Sequence, residues 1–185
     1  KKLAKFAKIR GQDSGGILYH KNDYVIKKAD YSIKKLINKS KLKDTNLLIG
    51  IGRLITNDNN ENQPFLKDDI CIFHNGIVVN DKEILNSESL KRQTELDTEA
   101  IYALVKKYKN SYDFDKIHHN VFEKCEGTIS CAIILLKLGK LILCSNHGSL
   151  YHGVKNKDII FSSEKYHLIS LGCSKIKNIN QSSKI

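Results

Sequence analysis

Methionine and tryptophan are absent from the 185 residues, and proline occurs once. Because the chain opens on a bulky lysine without an initiator methionine, we expect Lys1 not to be the biological start. No signal peptide is visible, and no apolar run reaches the ~18 residues of a membrane span. The longest candidate, CAIILLKLGKLILC, is interrupted by Lys137, Gly139 and Lys140, which favours two strands joined by a tight turn. These absences predict a cytoplasmic protein with no membrane partner.

Arginine is scarce in a strongly basic chain. Only three of the 31 basic residues are arginine, although the net charge is +11. Residues 1–43 hold 13 of the basic residues and only three aspartates. This region is either a surface for an anionic partner or a set of solvated lysines. A nucleic-acid-binding domain is a third hypothesis, but such a reader uses more arginine and recognisable motifs. We therefore predict no nucleic-acid partner.

The five cysteines form no CxxC pair, and their number is odd. Most lie in apolar runs such as DDICIF and TISCAII, which is typical of buried free thiols in a reducing compartment. Cysteine and histidine are not clustered at metal-ligand spacing, and the adjacent His118 and His119 point in different directions on a predicted helix. The sequence therefore predicts no metal site, and it implies no cofactor.

The order of predicted elements is strands, then helices, then strands again, with short connections that indicate antiparallel pairing. No repeat, linker or domain boundary interrupts residues 1–185, so we expect one α+β domain. The hydrophobic periodicity and turn residues predict helices at 3–9, 31–39, from Asp97 onwards, at about 114–125 and at 163–170; strands at 17–20, 24–29, 47–54, 70–74, 77–79, 128–137, 140–145, 150–154 and 158–162; and a frayed polar tail.

Two motifs in the first third of the chain have both a structural and a chemical interpretation. RGQDSGG, residues 10–16, is rich in turn formers and is either a plain loop or a glycine-permitted approach of backbone to a ligand, with Arg10 fixing the loop. GRLITND places Arg53 and Thr56 at the end of a strand predicted to be buried. There the guanidinium fork either binds a substrate carboxylate or pairs with one of the chain's own acids.

Two further motifs follow in the middle of the chain. In HNGI, Asn75–Gly76 is typical of a two-residue hairpin turn, and the same turn exposes a side-chain amide and a glycine N–H that can stabilise an oxyanion together. In ELDTEA, Asp97 and Thr98 begin a helix. They form either a simple N-cap, with Glu99 favourable to the helix dipole, or a fixed carboxylate for a substrate cation.

Taken together and in this order, RGQDSGG, GIGRLIT with NQPF, HNGI and LDTEAI resemble the glutaminase domain of class II glutamine amidotransferases, which are N-terminal-nucleophile hydrolases. The resemblance covers about residues 3–170, and the closing segment from LCSNHGSLYHGV to IIFSSEKYHL is similar to the family's strand–turn–strand run and short helix. HNGI and the DTE helix start look most like the branch that contains glucosamine-6-phosphate synthase. RGQDS and NQPF also resemble the amidophosphoribosyltransferase branch.

The resemblance implies a role for each matching position. Arg53 corresponds to the arginine that binds the α-carboxylate of glutamine, and Thr56 to the threonine beside it. Asn75 and Gly76 correspond to the oxyanion hole, and Asp97 to the aspartate that binds the α-ammonium group. These roles agree with the residues' own chemistry, because an amino-acid amide needs a cation at one end, a carboxylate at the other and donors at the scissile carbonyl.

The chain departs from the family pattern at several positions. The family nucleophile is a cysteine at the mature N-terminus whose own α-amine is the base, and we expect it upstream of Lys1 because the five cysteines here are all internal. Arg10 and Asp13 match a supporting loop next to that nucleophile. Leu54 and Ile55 replace a tryptophan and a small residue, and Asn57-Asp58 replaces His-Gly, so the loop over glutamine is expected to close differently.

The implied fold is a four-layer αββα sandwich with antiparallel sheets. The implied reaction is hydrolysis of the glutamine side-chain amide, with ammonia passing to an acceptor synthase or isomerase on a separate subunit. The motifs favour a sugar-phosphate acceptor and hence amino-sugar synthesis. The alternative is an inactive glutaminase-like domain that binds glutamine or a partner protein without turnover.

Overall fold

The computed structural model describes residues 2–40, 42–54, 62–109 and 114–184. The chain forms two compact units, Lys1–Pro64 and Phe65–Ile185. Both contain helices and antiparallel strands, which confirms the predicted α+β class. No helix in the described part of the chain is both long and apolar enough to cross a bilayer.

The first unit is a three-stranded sheet with two helices. Its elements are α1 (Lys2–Arg10), β1 (Ser14–His20), β2 (Tyr24–Ala29), α2 (Ile33–Lys39) and β3 (Leu47–Arg53). The strand order is β2-β1-β3, and both pairings are antiparallel. A small apolar core of Ile17, Ile33 and Leu36 joins α2 to the central strand. Of the predicted buried strand 47–54, only Ile49 is fully buried.

The segment RGQDSGG was predicted to be a loop, and for Ser14, Gly15 and Gly16 this is wrong. These three residues belong to β1 and pair with both β2 and β3. The glycines are required by close packing and not by a turn. A Cβ at Gly15 would lie 2.7 Å from the backbone nitrogen of Ile33, and one at Gly16 would lie 1.9 Å from the carbonyl oxygen of Gln63. Main chain therefore passes where a side chain would stand.

The second unit contains two antiparallel sheets with helices. Its elements are β4 (Phe65–Lys67), β5 (Ile70–Val78), α3 (Asp81–Ser87), α4 (Thr98–Lys109), α5 (Phe114–Lys124), β6 (Gly127–Leu135), β7 (Lys140–Ser145), β8 (Tyr151–Lys155), β9 (Asp158–Ser162), α6 (Lys165–Ser170), β10 (Ser174–Asn178) and β11 (Gln181–Lys184). One sheet has the order β11-β7-β6-β5-β4 and the other β10-β8-β9. Helix α4 packs on β5, β4, α3 and α5, and eight consecutive residues from Thr98 to Val105 are buried.

The predicted hairpin turn at Asn75–Gly76 is wrong. Strand β5 runs through both residues, and its pairing with β6 continues without a shift from Ile70–Leu135 to Val78–Gly127. Gly76 has a φ of +149°, and a Cβ there would lie 1.8 Å from the carbonyl oxygen of Thr128 on β6. The glycine thus allows an unusual backbone conformation inside the sheet, where it does not reverse the chain.

The tail also differs from its prediction. Instead of fraying, the chain adds β10 to β8 and β11 to β7. Edge pairing of this kind depends on hydrogen bonds to strands distant in sequence, so the polar composition of the segment did not indicate it. The tight turn at Lys137–Gly139 is confirmed as a short 3₁₀ turn (Leu136–Leu138) closed by Gly139 in the left-handed conformation, with a φ of 58°.

We expect Gly16→Ala to destabilise the protein by about 3 kcal/mol, because the new methyl group would meet backbone atoms that have no rotamer with which to move away. The free energy of unfolding in urea measures the effect. Gly139→Ala is the matched control. Its left-handed φ is unfavourable for alanine, but its Cβ would meet no atom within 4 Å, so it should cost only about 1 kcal/mol. Equal losses for the two variants would contradict the packing argument.

Candidate functional site

Arg53 is the last residue of β3 and is half-buried. It pairs in register with Ser14, and its carbonyl oxygen accepts a hydrogen bond of 3.2 Å from the N–H of Asp13. A Cβ at Gly11 would lie 2.4 Å from the backbone nitrogen of Arg53. The structure therefore brings the first two motifs together in the first unit, with the Gly11–Asp13 loop lying directly against the end of β3.

The other two residues predicted in this region have less structural detail. Arg10 is the final residue of α1, and the following N–H of Gly11 donates to the carbonyl oxygen of Ala7. The side chain of Arg10 and the whole of Thr56 lie outside the described residues. Their predicted roles stay predictions.

In the second unit, the carboxylate of Asp97 lies against β5. The N–H of Val78 donates to Oδ2 of Asp97 at 2.8 Å. Oδ1 lies 3.5 Å from Nδ1 of His74 and 3.5 Å from Oγ1 of Thr98. The side chain is 26% exposed. Asp97 thus contacts the strand at positions 74 and 78, on either side of Asn75–Gly76, and part of it can still reach a ligand.

Two opposing effects set the ionisation of Asp97. Burial raises the pKa, but the hydrogen bond and the electrostatic interaction with His74, together with the backbone N–H groups of Val78 and Thr98, outweigh it. The net result is a pKa below the ordinary value for aspartate. The carboxylate is therefore an anion at neutral pH, which is the state needed to bind an ammonium group.

The Asp97 side of β5 is a sheet edge. Strand β4 pairs only with Ile70, Cys71 and Ile72, so within the described part of the unit no strand covers β5 from Phe73 to Val78 on that side. The bond from Val78 to Asp97 uses this edge. By the two-residue alternation of backbone N–H groups, that of Gly76 is expected to face the same edge.

Neighbouring residues of β5 face opposite sides of the sheet. His74 shares its register row with Cys131 and Cys144, which belong to the core beneath the helices. Asn75 is exposed and shares its row with Ser130 and Ser145, whose hydroxyl oxygens are 2.8 Å apart. The amide of Asn75 and the imidazole of His74 therefore belong to different faces, with the free edge between them.

The remaining acid of the LDTEA motif has a structural role. Glu99 is 1% exposed, and its carboxylate accepts hydrogen bonds from the N–H groups of Gln93 and Thr94 at 3.0 and 2.9 Å. Lys67 lies 3.8 Å away. Because Glu99 fixes the loop that precedes α4, it sets where the helix starts and so where Asp97 stands.

Sequence reasoning missed His74. The residue is 2% exposed and contacts both Asp97 and Thr98, with Nδ1 3.3 Å from Oγ1 of Thr98. One signal was available, because His74 is the first residue of the HNGI motif and lies two positions before Gly76, on the same face of a strand as the glycine. Once Asn75–Gly76 was interpreted as a turn, that argument no longer applied.

Two of the internal cysteines, Cys125 and Cys131, are poor nucleophiles. Four of the five are buried, and all are free, as predicted. Burial, with minor contributions from neighbouring charge, raises the pKa of the Cys125 thiol to about 12 and that of Cys131 well above the usual range. A thiol attacks as its thiolate, so these two groups are unreactive at neutral pH.

With the site described, comparison with known proteins identifies the family. The family model for the glutamine amidotransferase domain matches residues 52–170, which is well over half of the chain. The chain belongs to this family. The matched part of the amidotransferase domain includes Arg53, Asn75, Gly76 and Asp97.

Two relatives and two solved structures show what the domain is similar to. It is 28% identical over 174 residues to glutamine–fructose-6-phosphate aminotransferase of Methanococcus maripaludis, covering 84% of this chain and 29% of that protein. It is 31% identical over 123 residues to 7-cyano-7-deazaguanine synthase of Saccharolobus solfataricus, covering 57% and 25%. These relatives are enzymes, and the chain spans little more than a quarter of their length.

The structural neighbours show the fold. Glutamine phosphoribosylpyrophosphate amidotransferase from B. subtilis matches all of this chain and 45% of its own, with a TM-score of 0.76 and 20% identity. A glutamine aminotransferase class-II domain protein from Silicibacter pomeroyi matches 94% of this chain and 90% of its own, with a TM-score of 0.58 and 13% identity. The chain thus has the N-terminal-nucleophile hydrolase fold that its motifs implied.

The ionised Asp97 makes the stability of the amidotransferase domain depend on acidity. Its folded-state pKa is lowered, so its stabilising contribution is complete above the unfolded-state pKa near about 4 and is lost as pH falls through the folded value. Asp97→Asn should therefore lose less stability than the wild type between about pH 5 and pH 2.5. The free energy of unfolding in urea, measured across this range, checks the sign. Parallel curves for the two proteins would contradict it.

Proposed function

We propose that this chain hydrolyses the side-chain amide of glutamine and supplies the ammonia to an acceptor enzyme. The observation that carries the proposal is the placement of Asp97, an ionised carboxylate that contacts β5 on both sides of Asn75–Gly76. A cation site and candidate oxyanion donors thus lie within a few residues of one sheet edge.

In this proposal Asp97 binds the α-ammonium group, Arg53 binds the α-carboxylate through its guanidinium fork, and Thr56 also has a substrate-binding role. Asn75 and Gly76 stabilise the oxyanion that develops on the amide carbonyl. The Gly76 N–H and the Asn75 side-chain amide are neutral donors, so they favour the charge of the tetrahedral intermediate without binding the product carboxylate too strongly. Arg10 and Asp13 support the adjoining loop.

The nucleophile in this proposal is the thiolate of an N-terminal cysteine of the mature protein, whose α-amine takes the thiol proton. The thiolate attacks the amide carbon, the protonated amine donates its proton to the amide nitrogen, and the C–N bond breaks to release ammonia and leave a γ-glutamyl thioester. Water then cleaves the thioester to give glutamate and the free thiol. The raised pKa values of Cys125 and Cys131 support a nucleophile other than these internal thiols.

We also propose that both units belong to a single glutaminase domain and that its acceptor is a sugar phosphate on a separate synthase or isomerase subunit. The family model runs from residue 52 to residue 170 and so includes parts of both units. One relative, which covers 84% of this chain, is named for fructose 6-phosphate. Relatives named for other acceptors share the domain, so the acceptor requires its own test.

Glutamine turnover by the natural protein tests the catalytic proposal. Intact mass and N-terminal sequencing identify the mature N-terminus, and glutamate release on the same sample measures activity. Asp97→Asn should lower kcat/KM for glutamine about 100-fold, because it removes the anion that pairs with the ammonium group. Asp158→Asn, at the exposed first residue of β9, is the matched control and should not change it.

A mature N-terminal cysteine together with glutamine turnover would establish the enzyme. A protein that lacks this cysteine and shows no turnover, but binds glutamine, would instead be the inactive glutamine-binding relative. Normal turnover by the Asp97→Asn variant would contradict the assigned role of Asp97.

The acceptor proposal has a separate test. Addition of a candidate synthase and fructose 6-phosphate should convert released ammonia into amino sugar and raise glutamine turnover.

Part of the basic surface, around Lys8, Lys34, Lys35 and Lys39, is proposed to face this subunit. The affinity for the subunit should therefore fall several-fold as salt rises from about 0.05 to 0.5 M, because counterions screen the surface charges. Salt-independent binding would argue against this surface, and absence of amino sugar would argue against the acceptor.

A further inference from the structure

The imidazole of His74 lies between two parts of the proposed site. On one side, Nδ1 is 3.3 Å from Oγ1 of Thr98 and 3.5 Å from Oδ1 of Asp97. On the other side, Nε2 lies 2.9 Å from the position that a Cβ of Gly76 would occupy. One ring therefore lies between the carboxylate and the space that a side chain at Gly76 would fill, in the candidate oxyanion dipeptide. At 2% exposure, it is shielded from solvent.

The two oxygens of Asp97 are fixed differently. Oδ2 accepts a 2.8 Å hydrogen bond from the backbone N–H of Val78, which is held in place by the pairing of β5. Oδ1 has longer contacts, at 3.5 Å, to the Thr98 hydroxyl and the imidazole. The rotation of the carboxylate about its Cβ–Cγ bond therefore depends on Oδ1, and only polar neighbours can restrain it there, because terminal carboxylate torsions have broad energy wells.

We propose that His74 is a positioning residue for glutamine recognition. It orients the Asp97 carboxylate toward the α-ammonium group of the substrate, and it supports the backbone at Gly76 from beneath. This inference rests on the proposed function, since it assigns His74 a role through Asp97 and not through contact with glutamine. A buried apolar residue of equal size would fill the same space, but Oδ1 would lose its contact with the imidazole.

The test compares two ligands that differ only at the group Asp97 is proposed to bind. Glutamine and 4-carbamoylbutanoate, its analogue without the α-amino group, are titrated by NMR into the full 185-residue chain. Such binding does not require a nucleophile. His74→Leu should weaken the binding of glutamine about tenfold, because it removes one polar restraint on a charged group. It should leave the binding of the analogue unchanged.

A matched pair of polar variants separates orientation from folding. Asparagine places an amide near the position of Nδ1, whereas glutamine places one near Nε2. His74→Asn should therefore recover most of the affinity for glutamine, and His74→Gln should not. Circular dichroism establishes that each variant is folded, and if His74→Leu is not, the Asn and Gln pair decides the question by the same ligand comparison.

Each outcome bears on one of the two claims. If the wild-type chain does not bind glutamine, both the proposed function and this inference fail. Suppose that the wild type binds glutamine and that Asp97→Asn weakens this binding. If the folded His74 variants then bind glutamine as tightly as the wild type does, the proposed function stands and the role of His74 is overturned. Equal weakening of both ligands also overturns it, because His74 would then support the fold in general and not the ammonium site.

Discussion

The continuous pairing of β5 with β6 is the constraint on which the second unit depends. Nine residues of β5 pair in one register, from Ile70 to Val78, and a slip by one residue would turn every side chain to the other face. The register places His74 beneath the helices and Asn75 on the opposite face. On the other side of β5, β4 pairs only as far as Ile72, and among the described residues no strand covers the edge beyond it, where Asp97 lies. The geometry of the candidate site follows from this ladder.

Glycines with strong turn propensity serve close packing in both units. Asn-Gly is the strongest short hairpin signal, yet Gly76 lies within a strand because Thr128 occupies the space of its side chain. Gly15 and Gly16 are likewise strand residues that allow backbone and helix to approach. Local propensity describes what a dipeptide does in isolation. It contains no information about a neighbouring strand more than 50 residues away, which here decides the outcome.

The sequence predicted most elements because their signals are local. The apolar periodicity of α4 and the left-handed turn at Gly139 require no knowledge of distant residues. Strands β10 and β11 were missed for the opposite reason, since their polar residues pair with strands that form elsewhere. The residues of the candidate site likewise fall into those that local sequence motifs indicate and those that they do not. Asp97 and Asn75 were found through motif resemblance, whereas His74 was not, because its importance arises from contacts across 23 and 24 positions of sequence.

The DTE segment provides both a candidate substrate-binding residue and the buried contacts that hold it in position. Asp97 faces the strand edge, Thr98 contacts His74, and Glu99 fixes the preceding loop by accepting its backbone N–H groups. Only the first of these is suited to touch a substrate. The other two determine where the first stands, and they do so from buried positions where a lost hydrogen bond is costly. A recognition carboxylate needs such support because an aspartate side chain alone leaves its carboxylate torsion almost free. By the same reasoning, we expect His74, and not a further exposed acid, to be the next residue on which specificity for an amino acid depends.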